Sequence, residues 1–165
     1  MRAAFEGEYG KRDWRCWEYR AGDLKSLKRA RPSIPCEHGV YIIRAPEPLP
    51  RVRGASNVVY VGQSGGGSRG GKQGIGPGNG GPGRLFNTRG ADELVRKRIE
   101  GLFPNGTFVV ECTFVSSPED PEELEARLLR AYVETHCELP PANHAQRALE
   151  RSVAEPNKPV RPTLL

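Results

Sequence analysis

Two tyrosines, each close to a glycine, are the residues of this chain best placed to do chemistry. Tyr41 closes Gly39-Val40-Tyr41 and Tyr60 opens Tyr60-Val61-Gly62, inside the apolar runs HGVYIIRA (38–45) and SNVVYVGQS (56–64). If each run is a strand, alternate residues share a face, so Tyr41 lies with Gly39 and Ile43, and Tyr60 with Val58 and Gly62. Glycines beside a phenol would leave the backbone open to a bulky ligand. Glu125 is the second candidate. It precedes Leu128 by three residues and Leu129 by four, on the border of an apolar helical stripe, where a carboxylate must find a cation, a donor or a metal. The structural alternative is a rim ion pair with Arg127, Arg130 or a more distant arginine.

Other spacings offer less. GSRGGK (67–72) is followed by Gln73 instead of Ser or Thr, so the phosphate-loop pattern is incomplete. Cys16, Cys36, Cys112 and Cys137 include no CxxC, and neither Cys36 with His38 nor His136 with Cys137 matches a zinc-finger spacing. Reduced cysteines and surface histidines are the expectation.

The elements that would position these residues follow from pattern. The two tyrosine-bearing runs are rich in β-branched residues, and Pro46, Pro48, Pro50, Gly54 and Asn57 break the chain between them, so an antiparallel hairpin with a long loop is expected. Residues 65–83 are glycine-rich without apolar periodicity and read as a flexible, mildly basic insertion. In 84–103, Leu94, Val95, Ile99 and Leu102 recur at helical spacing, with Arg96, Lys97 and Arg98 on the other side. After a Pro104-Asn105-Gly106 turn, 107–115 predicts a third strand with Phe108, Val110, Cys112 and Phe114 on one side. Asp120 then caps a helix with Pro121 in its first position and Glu123 completing a capping box. Its inward stripe is Leu124, Leu128, Ala131, Tyr132 and Thr135, joined by Leu129 and Val133; it ends by Cys137, and Leu139-Pro140-Pro141-Ala142 delivers Asn143.

The expected organisation is a basic, aromatic N-terminal segment (1–37) packing on a domain (38–145), then a loose tail (146–165) with a possible helical turn around 145–153. In the first segment, Lys11, Arg12, Arg15 and Arg20 interleave with Trp14, Trp17 and Tyr19. That suits a phosphate track with stacking platforms, or a layer of Trp14, Trp17, Leu24 and Leu27 packed against the sheet, with Asp23 capping a short helix before Pro32. The chain has 165 residues, 36% hydrophobic and 27% charged, which fits one soluble globular domain. No apolar run approaches the roughly 20 residues of a membrane span, and the polar start is no secretory signal, so a cytoplasmic protein is expected. A net charge of +5 favours a polyanionic partner, with a solubility charge as the alternative.

Taken in order, GVY (39–41), YVG (60–62), Arg84, Glu125 in ExxLL and Asn143 after Pro-Pro resemble the GIY-YIG nuclease superfamily over roughly residues 30–145. That superfamily includes nucleotide-excision-repair incision nucleases, homing endonucleases and some type II restriction enzymes. The resemblance implies an α/β (α+β) fold with a small central antiparallel three-stranded sheet flanked by helices. It also implies an endonuclease that hydrolyses DNA phosphodiesters with water and one divalent ion, Mg²⁺ or Mn²⁺. By position, Glu125 would hold the metal and Arg84 would grip the scissile phosphate. Tyr41 and Tyr60 would flank the attacking water, Tyr41 being the preferred general base, and Asn143 would support the site by hydrogen bonding. Gly39 and Gly62 are the motif glycines, and Arg15, Arg69, Lys72 and Arg89 are candidate nucleic-acid contacts. A phenol titrates near pH 10, so acting as a base at neutral pH requires a lowered value, with Arg84 or metal-bound water as the agent.

Three features depart from the family's pattern. The glycine-rich insertion puts Arg84 unusually far from Tyr60-Val61-Gly62 and makes Arg69 a rival; Arg84 is preferred because Leu85 and Phe86 begin an apolar helix. Glu125 and Asn143 are widely separated, and Gln63 stands where several members carry lysine. The partner implied is DNA, with a homodimer as a means of cutting both strands. The competing readings are a non-cleaving nucleic-acid-binding module on the same scaffold and a phosphate-loop nucleotidase.

Overall fold

The computed structural model describes residues 4–23, 33–65, 74–76 and 90–143. The elements are helix α1 (Ala4–Tyr9), strands β1 (Arg15–Arg20), β2 (Gly39–Pro50) and β3 (Ala55–Ser64), helix α2 (Gly90–Leu102), strand β4 (Thr107–Phe114) and helix α3 (Pro121–His136). The strands form one antiparallel sheet in the order β1-β4-β2-β3. The fold is thus α+β, but the expected three-stranded sheet is corrected to four. The additional strand is β1, from the segment expected only to pack on the domain. Its sequence hides it, because of its six residues only Tyr19 is fully buried and the rest alternate weakly.

Each sheet face carries its own core. On one face Tyr19, Tyr41, Ile43, Phe108, Val110 and Cys112 pack with Ile99 of α2, while Trp17, Tyr60 and Phe114 lie against them. On the other, Val40, Ile42, Val58 and Val61 pack with Phe5 of α1 and with Leu124, Leu128, Leu129 and Tyr132 of α3. The side expected for Phe108, Val110, Cys112 and Phe114 is the one observed. Within α2, Ile99 is fully buried but Leu94 is 64% exposed, so Leu94 leaves the predicted stripe.

A register shift in the hairpin matters for the tyrosines. Ile43 faces Tyr60 and Arg44 faces Val58, leaving Val59 as an extra residue in β3. Val58 therefore sits with Val61 on the α3 side, while Val59 and Tyr60 join the opposite core. Simple alternation had put Val58 beside Tyr60. The prolines do not end β2, which runs on to Pro50. Pairing with β3 skips from Arg44 to Leu49, so Pro46 and Pro48 lie where no ladder N–H to β3 is needed.

Helix α3 starts as its sequence predicts: Asp120 accepts a hydrogen bond from the Glu122 N–H at 2.8 Å, with Pro121 at the start. It ends at Cys137 in the left-handed conformation (φ 61°), whose N–H donates to the Val133 carbonyl. Part of the glycine-rich stretch is also packed, contrary to expectation. Ile75 is fully buried in the Tyr41 core, and the Ile75 and Gly76 N–H groups donate to the carbonyls of Glu37 and Pro35. A Cβ at Gly76 would strike the Ile34 carbonyl oxygen, so glycine is what allows the two backbones to meet. The rest of that stretch, residues 24–32 and the tail from 144 onward, including the expected turn around 145–153, lie outside the described residues.

Candidate active site at the edge of the sheet

The paired strands bring Tyr41 and Tyr60 together. Tyr41 is registered with Gly62 and Tyr60 with Ile43, on one face of the sheet, and the two rings lie 5.9 Å apart at 37°. Gly62 makes the pair possible. A Cβ there would fall 2.5 Å from the Tyr60 ring, 2.8 Å from Tyr41 Cζ and 2.9 Å from Tyr41 Oη. At Gly39 a Cβ would strike the Thr113 carbonyl oxygen of β4. Both glycines thus make room for neighbouring groups of the protein, where the sequence suggested space for a ligand. Tyr41 is 5% exposed, and Tyr60 is more accessible.

Strand β3 has β2 on one side, and its outer edge receives the turn after α3. The Ala142 N–H donates to the Val59 carbonyl at 2.9 Å. The Asn143 side chain then grips Val61 with both ends of its amide: Oδ1 accepts from the Val61 N–H at 3.0 Å and Nδ2 donates to the Val61 carbonyl at 2.7 Å. This satisfies an otherwise bare strand edge. Asn143 therefore holds the residue between Tyr60 and Gly62.

Glu125 reaches the same end of β3 from the other layer. Glu125, Leu129, Tyr132 and His136 follow one another at helical spacing along one stripe of α3. Tyr132 Oη donates to the Val58 carbonyl at 3.4 Å, and His136 Nδ1 lies 2.9 Å from the Arg53 carbonyl oxygen just before β3. The stripe thus runs along β3 in the opposite direction. Glu125 is seven residues before Tyr132, or about 10 Å along the axis at ~1.5 Å per residue. That is about three strand residues beyond Val58, level with Val61 and Gly62. Glu125 is half-buried, on the α3 side of the sheet, whereas the tyrosine rings are on the α2 side. Arg127, named as its alternative partner, instead pairs with Glu8 at 3.3 Å and Glu119 at 2.7 Å.

Gln63 is registered with Val40 and is 7% exposed, so it points into the α3 layer and away from the phenols. Arg15 is exposed on the tyrosine face, its guanidinium 5.5 Å from the Phe114 ring centre. Arg84, Arg69, Lys72 and Arg89 lie outside the described residues. Sequence reasoning missed Ile75 and Phe114 as neighbours of the site; the flanking Gly74 and Gly76 were the available signal for Ile75.

No family model, curated protein or solved structure matches this chain. Among the described residues no helix is long and apolar enough to cross a membrane, and no group of three or more His, Cys, Asp or Glu is placed to hold a metal ion. Burial pushes the Cys112 thiol, registered with Tyr41, strongly upward, so it stays protonated at neutral pH.

Proposed function

We propose that this protein is a metal-dependent endonuclease that hydrolyses phosphodiester bonds in DNA in the manner of the GIY-YIG superfamily. The observation that carries the reading is the contact of two phenols from paired strands over Gly62, with the peptide between Tyr60 and Gly62 gripped by Asn143. In this reading Tyr41 and Tyr60 orient the attacking water and one of them, Tyr41 by preference, accepts its proton. Arg84, assigned from its motif position, holds the scissile phosphate through a planar fork. Glu125 suits a hard divalent ion, which takes oxygen ligands, keeps several waters and needs few protein carboxylates. Such an ion, Mg²⁺ or Mn²⁺, supplies Lewis-acid neutralisation of charge on the phosphoryl oxygens when bound. Asn143 keeps Tyr60 and Gly62 in register.

The competing reading is a DNA-binding module that does not cut. The near-complete burial of Tyr41 and the assignment of Glu125 to the opposite layer favour it. Plasmid nicking in Mg²⁺ or Mn²⁺ separates the two. Wild type should nick, and Glu125→Ala and Tyr41→Phe should bind DNA without nicking. Binding by wild type with no cleavage under any divalent ion would leave only the second reading.

A further inference from the structure

Register lines up one row of residues across all four strands: Gly62 of β3 faces Tyr41 of β2, Tyr41 faces Cys112 of β4, and Cys112 faces Arg15 of β1. The neighbouring row is Ser64, Gly39 and Phe114. Arg15 and Tyr41 are thus on the same face, two strand spacings or about 10 Å apart at the backbone. The Arg15 guanidinium rests over the half-exposed Phe114 ring, a contact that holds the cation without neutralising it.

Arg15 differs in this from other arginines of the fold. Arg12 pairs with Glu119, Arg44 with Glu111, Arg51 with Glu138 and Arg96 with Glu100. Among the described residues no carboxylate pairs with Arg15. An exposed guanidinium, preset by an aromatic ring and lacking an internal counterion, is complementary to a phosphate. The strand carrying it was added to the sheet beyond the three expected, so nothing in the motif order foresaw its position.

We propose that the Arg15–Phe114 ledge is a phosphate-binding subsite for the DNA strand that passes over the tyrosine pair. The strand crosses the sheet from Gly62 and Tyr41 toward β1. With about 3.4 Å of rise per nucleotide, Arg15 meets a phosphate two to three nucleotides from the one over the tyrosines. Only the location of the cut rests on the nuclease reading; the subsite itself does not.

The test uses the full chain, a labelled 20-mer duplex and a chelator, with affinity measured between 50 and 200 mM salt. Losing one phosphate contact lowers the slope of log affinity against log salt by about 0.9. Over this fourfold range, wild type should therefore lose about 3.5-fold more affinity than Arg15→Ala. Arg15→Lys should restore the slope, and Phe114→Leu should weaken binding with the slope retained. A neutral methylphosphonate two to three linkages from the cleavage point should weaken wild type but not Arg15→Ala. An unchanged slope in a folded, DNA-binding Arg15→Ala protein would overturn the subsite alone. A changed slope without nicking under any divalent ion would overturn the nuclease and leave the subsite standing. Failure of wild type to bind DNA would remove both.

Discussion

Asn143→Ala removes both ends of the amide grip on Val61. Two hydrogen bonds are lost, each contributing about 1 kcal/mol net, and the Val61 N–H and carbonyl at the edge of β3 lose their partners. Val61 itself is fully buried, so water enters only if the edge opens; the cost should be about 2 kcal/mol, rising toward 3 if it stays closed. For a chain of this size that is a fall in Tm of about 5–10 °C. The decisive assay is amide hydrogen exchange on folded protein. Protection of the Val61 N–H should drop specifically, while amides in the β2–β4 ladder should change only with global stability. Asn143→Asp should retain acceptance from the Val61 N–H but place a carboxylate oxygen against the Val61 carbonyl, so it should rescue poorly. Unchanged Val61 protection in Asn143→Ala, with a stability change below about 0.5 kcal/mol, would refute the assignment of Asn143 as the clasp on β3.

Ile75→Ala should cost about 2–4 kcal/mol by denaturant unfolding, because the side chain is fully buried in the Tyr41 core; a cost near zero would show that the glycine-rich stretch is not anchored there. Gly62→Ala should cost about 1–3 kcal/mol and displace the Tyr60 ring, the more accessible of the two, with loss of the Tyr41–Tyr60 ring contact by NMR. An intact ring contact in that variant would count against the role given to Gly62. Hydrogen bonds from Arg12 and then Arg127 hold the Glu119 carboxyl below its ordinary value of 4.5, and one from Lys11 does the same for Glu8. Both groups contribute stability above the unfolded value, about 4.3, which is lost as pH falls through the lowered folded values. Stability should therefore decline below about pH 4.3, less steeply in Glu119→Gln, and a decline of equal slope in that variant would exclude the contribution.

Local chemistry determined much of this protein without reference to its fold. Asp120 and Pro121 announce the start of α3, because a cap depends on atoms two residues away. The alternation of Phe108, Val110, Cys112 and Phe114 likewise announces β4 and the face it buries. The paired Gly-Tyr motifs mark the hairpin, since Gly62 is dictated by rings on its own and the adjacent strand. Tertiary structure decided what depends on distant partners. β1 is a strand because β4, about 90 residues later, offers it an edge, and that pairing leaves little trace in six mostly exposed residues. The extra residue at Val59 moved Val58 to the other face, since strand alternation survives only while register does. Asn143 met Val61 across 82 residues because α3 runs back along β3, a direction no local pattern carries. A motif can name the side chains of a site, but which layer each one occupies follows from packing, and packing is settled only when the whole sheet has closed.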